Sequence, residues 1–156
     1  MTQFRNLTTT KIGDIAEAWA VEYLESNGYS IYWNTGHKSQ IWDGIGFSGT
    51  TVRNLIEVKA KYPTEDGTFS IHENDLEKYE EWQINEGKQM IILYVDHKNK
   101  ELKLSTTKMI RKNTIGKWFD AKEHKWLIFH KGYKVKAQVP DEVCERMWSL
   151  SKQIQK

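Results

Sequence analysis

The sequence contains one cysteine, Cys144, two prolines, Pro63 and Pro140, and no unbroken apolar run longer than the six residues Met90 to Val95. A lone cysteine cannot close an internal disulfide. Six apolar residues fall far short of the roughly 20 that a spanning helix needs, so no membrane partner is expected. The opening stretch Met1 to Arg5 has no apolar segment of secretory type, and a reducing cytoplasm is the expected location. No repeat, low-complexity tract or Pro/Gly-rich linker divides the 156 residues, which read as one domain spanning 1–156. Gly-x-Gly-x-x-Gly, P-loop and Gly-x-Ser-x-Gly signatures are all missing, which disfavours a nucleotide cofactor. The five histidines, at 37, 72, 97, 124 and 130, lack zinc-type spacing.

What the chain does have is charge, unevenly placed. The net charge of +2 conceals a basic stretch, 98–136, with twelve Lys or Arg against three Asp or Glu. Between Glu65 and Glu86 eight acidic residues face a single lysine, Lys78. A basic face is the electrostatic footprint of a nucleic-acid binder, although lysine-rich stretches also serve as solvated surface. Lys108, Arg111, Lys112 and Lys117 are the candidate phosphate contacts, with the acidic segment expected to face away from the nucleic acid. Trp118, Phe119, Trp126, Phe129 and Tyr133 lie among these lysines. Core packing is their ordinary role, and base stacking or wedging of a duplex is the functional alternative.

Hydrophobic periodicity orders the elements. Ile12, Ile15, Ala16, Trp19, Ala20 and Tyr23 form a helical stripe over 11–27, with Thr10 as cap and Gly28 as terminator. Strands are expected at 29–33, 41–47 and 52–60, the last two joined as a hairpin, then a helix at 71–86 ending at Gly87. A buried strand at 89–95 and an edge strand at 102–105 follow. Beyond Ser105 the pattern gives a short helix at 107–112, strands at 126–129 and 133–139, and a last helix opened by Pro140, with Val143, Met147, Leu150 and Ile154 on one face. The fold class is α/β (α+β) with a mixed sheet.

The hairpin carries the chemistry. Ile41, Asp43, Ile45 and Phe47 share one strand face, so Asp43 interrupts an apolar row, and Glu57 and Lys59 share a face of the next strand. A Gly49-Thr50-Thr51 turn, with Ser48 opposite Val52, pairs position 43 with position 57, and the three charged groups converge. Two readings are open. The groups form an ordinary cross-strand ion pair worth about 0.2–1 kcal/mol, or the carboxylates hold Mg²⁺, a hard cation that keeps several waters and takes further ligands from a substrate phosphate. Glu17, on the first helix among Gly13, Ala20, Val21 and Leu24, is either a solvated glutamate or aimed at this cluster.

Gly13-x-x-x-Glu17 on the opening helix, Asp43 on a strand and Glu57-Val58-Lys59 on the next resemble the PD-(D/E)XK nuclease superfamily. The small size, the Gly28-Tyr29 step, Ser39 and the Asp43-x13-Glu57-x-Lys59 spacing are most similar to archaeal-type Holliday junction resolvases. The resemblance covers roughly 11–97. It implies a restriction-endonuclease-like αβββαβ core, a central mixed sheet flanked by helices, at about 11–105, with a basic C-terminal β/α elaboration at 106–156. It implies a divalent-metal-dependent DNA endonuclease in which Asp43 and Glu57 bind Mg²⁺, or Mn²⁺ as a substitute, Lys59 is catalytic and Glu17 assists at the metal. Trp42 stands where the motif name has proline. Asp75-x-x-x-Tyr79 stands on the second helix where some relatives have glutamine and tyrosine, and receives no role. A homodimer is expected, since symmetric cutting of two strands needs two sites, with the last helix as its interface. The rivals are a sequence-specific restriction or homing-type enzyme, a non-catalytic nucleic-acid-binding protein of the same fold, and a plain interaction domain.

Overall fold

The computed structural model describes residues 8–33, 44–48 and 51–154. In chain order it forms α1 (Thr8–Ser26), β1 (Ser30–Trp33), β2 (Gly44–Ser48), β3 (Thr51–Ala60), β4 (Phe69–His72), α2 (Glu73–Glu86), β5 (Gln89–Asp96), β6 (Glu101–Thr106), α3 (Thr107–Asn113), β7 (Thr114–Phe119), β8 (Lys125–Phe129), β9 (Lys134–Gln138) and α4 (Asp141–Ile154). Asp43, with the expected strand start at 41 and 42, lies outside the described residues.

Six strands form the main sheet in the order β1-β2-β3-β5-β6-β9. Among the described residues only β3 and β5 run parallel in this sheet. A parallel pair cannot be closed by a tight turn and needs a long crossover, and here β4 and α2 supply it. A second sheet, β4-β8-β7, packs against one face of the first.

Alternation along β3 splits the core in two. Ile56 and Val58 join Ile91, Leu93 and Val95 on one face, covered by Ile12, Ala16, Ala20 and Leu24 of α1 and by Cys144 and Met147 of α4. Leu55, Met90, Ile92 and Tyr94 point to the other face, against Leu76 and Tyr79 of α2 and Phe69, Ile71, Leu127 and Phe129 of the small sheet. The two alanines let α1 lie close on the strands. The helix ends where Gly28 adopts φ +91° and Tyr29 N–H donates back to the Leu24 carbonyl at 3.1 Å. That left-handed geometry strains any residue with a Cβ.

Four expectations are corrected. Residues 71 and 72 begin no helix: Phe69 and Ile71 are buried and alternate with Ser70 and His72, a strand pattern that meets β8. β6 is not an edge strand, because β9 pairs along its free side. The stretch 114–119, left without an element by the sequence reading, is β7. The apolar face of α4 is no free dimer interface, since Cys144 and Met147 are buried against α1 and the sheet of the same chain. The C-terminal third is also more than an addition to a finished core: β9 completes the main sheet, β8 pairs with β4, and α4 seals α1.

Candidate active site

β3 positions the charged row. Glu57 pairs with Ile92 and Lys59 with Tyr94 across the parallel ladder. Both charged side chains therefore rise from the face that is apolar at Leu55 and Met90. Lys59 Nζ lies 4.0 Å from Glu57 Oε1, and the two side chains are 17% and 12% exposed. A carboxylate and an ammonium so nearly desolvated attract each other more strongly than a surface pair would. The ring of Tyr79 lies 5.7 Å from Lys59 Nζ and adds a cation–π contact.

The row continues beyond the strand. Lys61, two residues on, donates to the Ser70 carbonyl at 3.2 Å, and its ammonium sits 4.6 Å from the Trp126 ring centre. Burial, with help from the positive charge of Lys59, pulls its pKa down to about 8, against the opposing charge of Asp75. Tyr94, the partner of Lys59, is fully buried, and its hydroxyl has no hydrogen-bond partner among the described residues. Burial first, then the charges of Glu57 and Asp75, push that hydroxyl far above its ordinary pKa. Asp75, in the first turn of α2, thus contributes negative charge to the same neighbourhood.

Sequence reasoning gives no role to Lys61, Tyr79, Tyr94 or Asp75. Lys61 had a signal: the two-residue period that joins Glu57 to Lys59 carries on to it. Tyr79 and Asp75 were noticed but given no role, and Tyr94 is brought in only by the parallel register.

The remaining candidates among the described residues lie on other elements. Glu17 is half-buried on the flank of the α1 stripe, and α1 covers the Ile56–Val58 face, opposite the one bearing Glu57 and Lys59. Lys108 and Lys112 are exposed on α3, and Lys117 is exposed on β7. Arg111 is engaged in a bidentate ion pair, its Nη2 2.7 Å from Glu80 Oε1 and its Nε 3.1 Å from Glu80 Oε2. The acidic and basic segments meet in the fold: α3 packs beside acidic α2, and Gln83 of α2 donates to Thr107 at 2.8 Å. Of the C-terminal aromatics, Phe129 is buried and Tyr133 packs on the core, whereas Trp118 and Phe119 are 43% and 57% exposed.

No three His, Cys, Asp or Glu side chains stand close enough to hold a metal ion among the described residues. Glu57 contributes one hard oxygen donor. Mg²⁺ commonly takes only one or two protein carboxylates and completes its shell with water and substrate phosphate, so the donor chemistry present at Glu57 fits that ion.

No protein-family model matches the sequence, and a search of curated proteins finds no match. Solved structures do match. Hjc, a Holliday junction resolvase from the archaeal hyperthermophile Archaeoglobus fulgidus, superposes with a TM-score of 0.53 at 14% identity, over 75% of this chain and 82% of its own. A nuclease from a fusselovirus superposes with a TM-score of 0.52 at 11% identity, over 99% of this chain and 98% of its own. The second alignment takes in the C-terminal third that the resemblance read from sequence did not cover. The chain has the restriction-endonuclease-like nuclease fold.

Proposed function

We propose, starting from that fold, that this protein is a divalent-metal-dependent endonuclease that hydrolyses DNA phosphodiester bonds at the Glu57–Lys59 row. The observation that carries the reading is the pair itself: a carboxylate and an ammonium 4.0 Å apart, mostly shielded from water, on a sheet face they share with buried Leu55, Met90 and Ile92. Desolvating two charges is costly unless they do work or are well compensated.

Asp43, Glu57 and Glu17 are the proposed metal-binding residues, Glu57 by its placement and the other two by resemblance. A bound Mg²⁺ would supply Lewis-acid stabilisation of the phosphate and a water acidic enough to attack near neutral pH. Lys59 supplies a fixed positive charge where negative charge builds on phosphorus, and being preorganised it needs no rearrangement during reaction. The Tyr79 ring and the Glu57 carboxylate hold the ammonium in that place. Lys61 adds a second cation for the substrate backbone.

Selectivity for branched DNA is supported by the likeness to an archaeal Holliday junction resolvase. Paired cuts in two strands require two copies of the site, and a dimer would have to form through a surface other than the buried stripe of α4.

The test is incubation with Mg²⁺ or Mn²⁺ and a panel of linear duplex, four-way junction, flap and single-stranded DNA, with Glu57→Gln as control. Metal-dependent cleavage by the wild type alone is expected. Nicking confined to the junction supports the resolvase reading, and discrete fragments from long linear duplex support a sequence-specific enzyme. DNA binding without cleavage of any substrate would overturn the enzymatic reading in favour of a non-catalytic binder.

A further inference from the structure

The outer face of the small sheet carries a row of rings that the hydrolytic reading does not use. His72, Trp126 and Trp118 occupy directly opposed positions on β4, β8 and β7. Trp118 and Trp126 stack with ring centres 5.5 Å apart and planes only 9° from parallel, and His72 meets Trp126 edge-on at 5.2 Å. A cross-strand aromatic pair stabilises a hairpin, and that alone would account for the stack. It does not account for what surrounds the outermost ring. Trp118 remains 43% exposed at the end of the row. Gly116, its same-face neighbour, has only the Ile128 Cδ1 atom near, 3.8 Å from where a Cβ would sit, so the strand beside Trp118 is left bare.

Trp118 borders an open groove lined by Thr64, Asp66, Thr68, Ser70 and Ile128. The Asp66 carboxylate is held in place by the Thr64 hydroxyl and by the Thr68 hydroxyl at 2.8 Å. Hydroxyls and fixed carboxylates hydrogen-bond the edges of bases, while the negative charge of Asp66 and neighbouring Glu65 repels phosphate. The groove therefore suits a base and not a backbone. The middle of the row has the reverse character, since Lys61 Nζ sits over Trp126, donates to the Ser70 carbonyl and continues the row of Lys59.

We propose that Trp118, stacked on Trp126 and joined through it to Lys61, is a platform for an unpaired nucleobase, so that the protein prefers DNA with a displaced nucleotide to continuous duplex. The inference rests on the endonuclease reading and narrows its substrate class. A base held inside a continuous duplex keeps its faces covered by its neighbours and has none to offer Trp118, whereas a bulged or single-stranded base does. Stacking on an aromatic side chain is tolerant of sequence, so the preference is for structure.

The experiment measures affinity in EDTA, where no cleavage intervenes, for a continuous duplex and for the same duplex with a three-nucleotide bulge. Wild-type protein is expected to bind the bulged duplex more tightly. Trp118→Ala should weaken that binding about 5- to 100-fold, the scale of one lost base stack, leave the continuous duplex within about 2-fold, and be largely rescued by Trp118→Tyr. Gly116→Leu, which fills the bare floor beside Trp118 and keeps both tryptophans, should produce the same selective loss and covers the case in which Trp118→Ala unfolds the hairpin. Equal effects of these variants on both substrates, or none on either, would overturn the platform. If the wild type still cleaves DNA in Mg²⁺ with such a result, only the platform falls; if it neither binds nor cleaves any DNA, the endonuclease reading falls first.

Discussion

Lys59 and Tyr94 face each other across the parallel β3–β5 pair, an ammonium opposite a phenol that is wholly out of water. The Tyr79 ring, 5.7 Å from Nζ, adds a contact that leaves the charge on the lysine. Lys59 is thereby placed for catalysis by position more than by proton transfer, and Lys59→Ala should lose on the order of 10²–10³ in cleavage rate. Glu57→Gln should abolish metal-dependent cleavage while leaving affinity in EDTA within a few-fold. Single-turnover rates at saturating Mg²⁺ check both, and a near-normal rate for either variant removes that residue from the chemistry.

Lys61 gives up its proton at about pH 8, below the ordinary lysine value, because it is buried beside Lys59. Below pH 8 it is a cation, and its contribution to DNA binding is lost as pH rises through that value. Metal-free affinity should therefore fall between pH 7 and 9, a range over which an unperturbed lysine keeps its proton. Lys61→Arg should flatten the fall and Lys61→Met should be weak and flat throughout. A wild-type profile that is already flat over this range would show that Lys61 does not touch the substrate.

The ion pair between Arg111 and Glu80 changes what the basic patch can do. Each lysine that contacts a phosphate contributes about 1 to the log–log salt slope of binding. Arg111 has its charge engaged within the chain. Neutralising Lys108 and Lys112 should flatten the slope by up to about 2, and adding Arg111→Gln should flatten it no further. An unchanged slope in the double variant would make α3 ordinary solvated surface and direct the DNA path elsewhere.

His97 ties stability to pH. Buried behind Tyr62 and Trp148, with Nε2 3.2 Å from Ser151 Oγ, it is harder to protonate in the fold than in the unfolded chain; burial outweighs the opposing charge of Asp96 and a hydrogen bond to the Val95 backbone. Its folded pKa lies below its unfolded value. Above about pH 6.5 both states hold it neutral and stability is full. As pH falls below that, the unfolded chain takes up the proton first, and stability declines by up to about 1.4 kcal/mol per pH unit until the folded form is protonated too. Denaturant midpoints from pH 7.5 to 5 should show this decline, and His97→Gln should reduce it; an equal decline in the variant would assign the effect to other groups.

Much of the site was legible because strands impose a period of two. Glu57 and Lys59 had to share a face once β3 was recognised, and the register toward Gly44 follows the expected pairing, with Gly44 opposite Ile56. It does so by a different route. Ser48 pairs with Thr51 and not with Val52, and a bulge between Gly46 and Phe47 absorbs one residue of β3 and restores the expected alignment. A bulge leaves no mark in hydrophobic alternation. β4 was hidden because Ile71, Leu76 and Tyr79 fit a helical face as well as they fit a strand joined to a helix. β7 was hidden because a hairpin with one face in water exposes Ile115, Trp118 and Phe119 and shows no core pattern. The pairing of basic α3 with acidic α2 could not be read, since net charge along the chain says nothing of which segments meet.

The stitching of late residues into early structure sets the order of events as the chain folds. Phe69 pairs with Phe129, Glu101 with Gln138, and α1 shares its core cluster with α4. Contacts between residues so far apart in sequence are rewarded only after long loops have closed, which places folding on the slower millisecond-to-second scale. The Lys59 row leans on Tyr94 and Tyr79, in the core that Leu127 and Phe129 complete. The speed at which activity returns after dilution from denaturant is then a property of the last strands to dock, and the rate constant for recovery of cleavage should equal that for burial of the aromatic core.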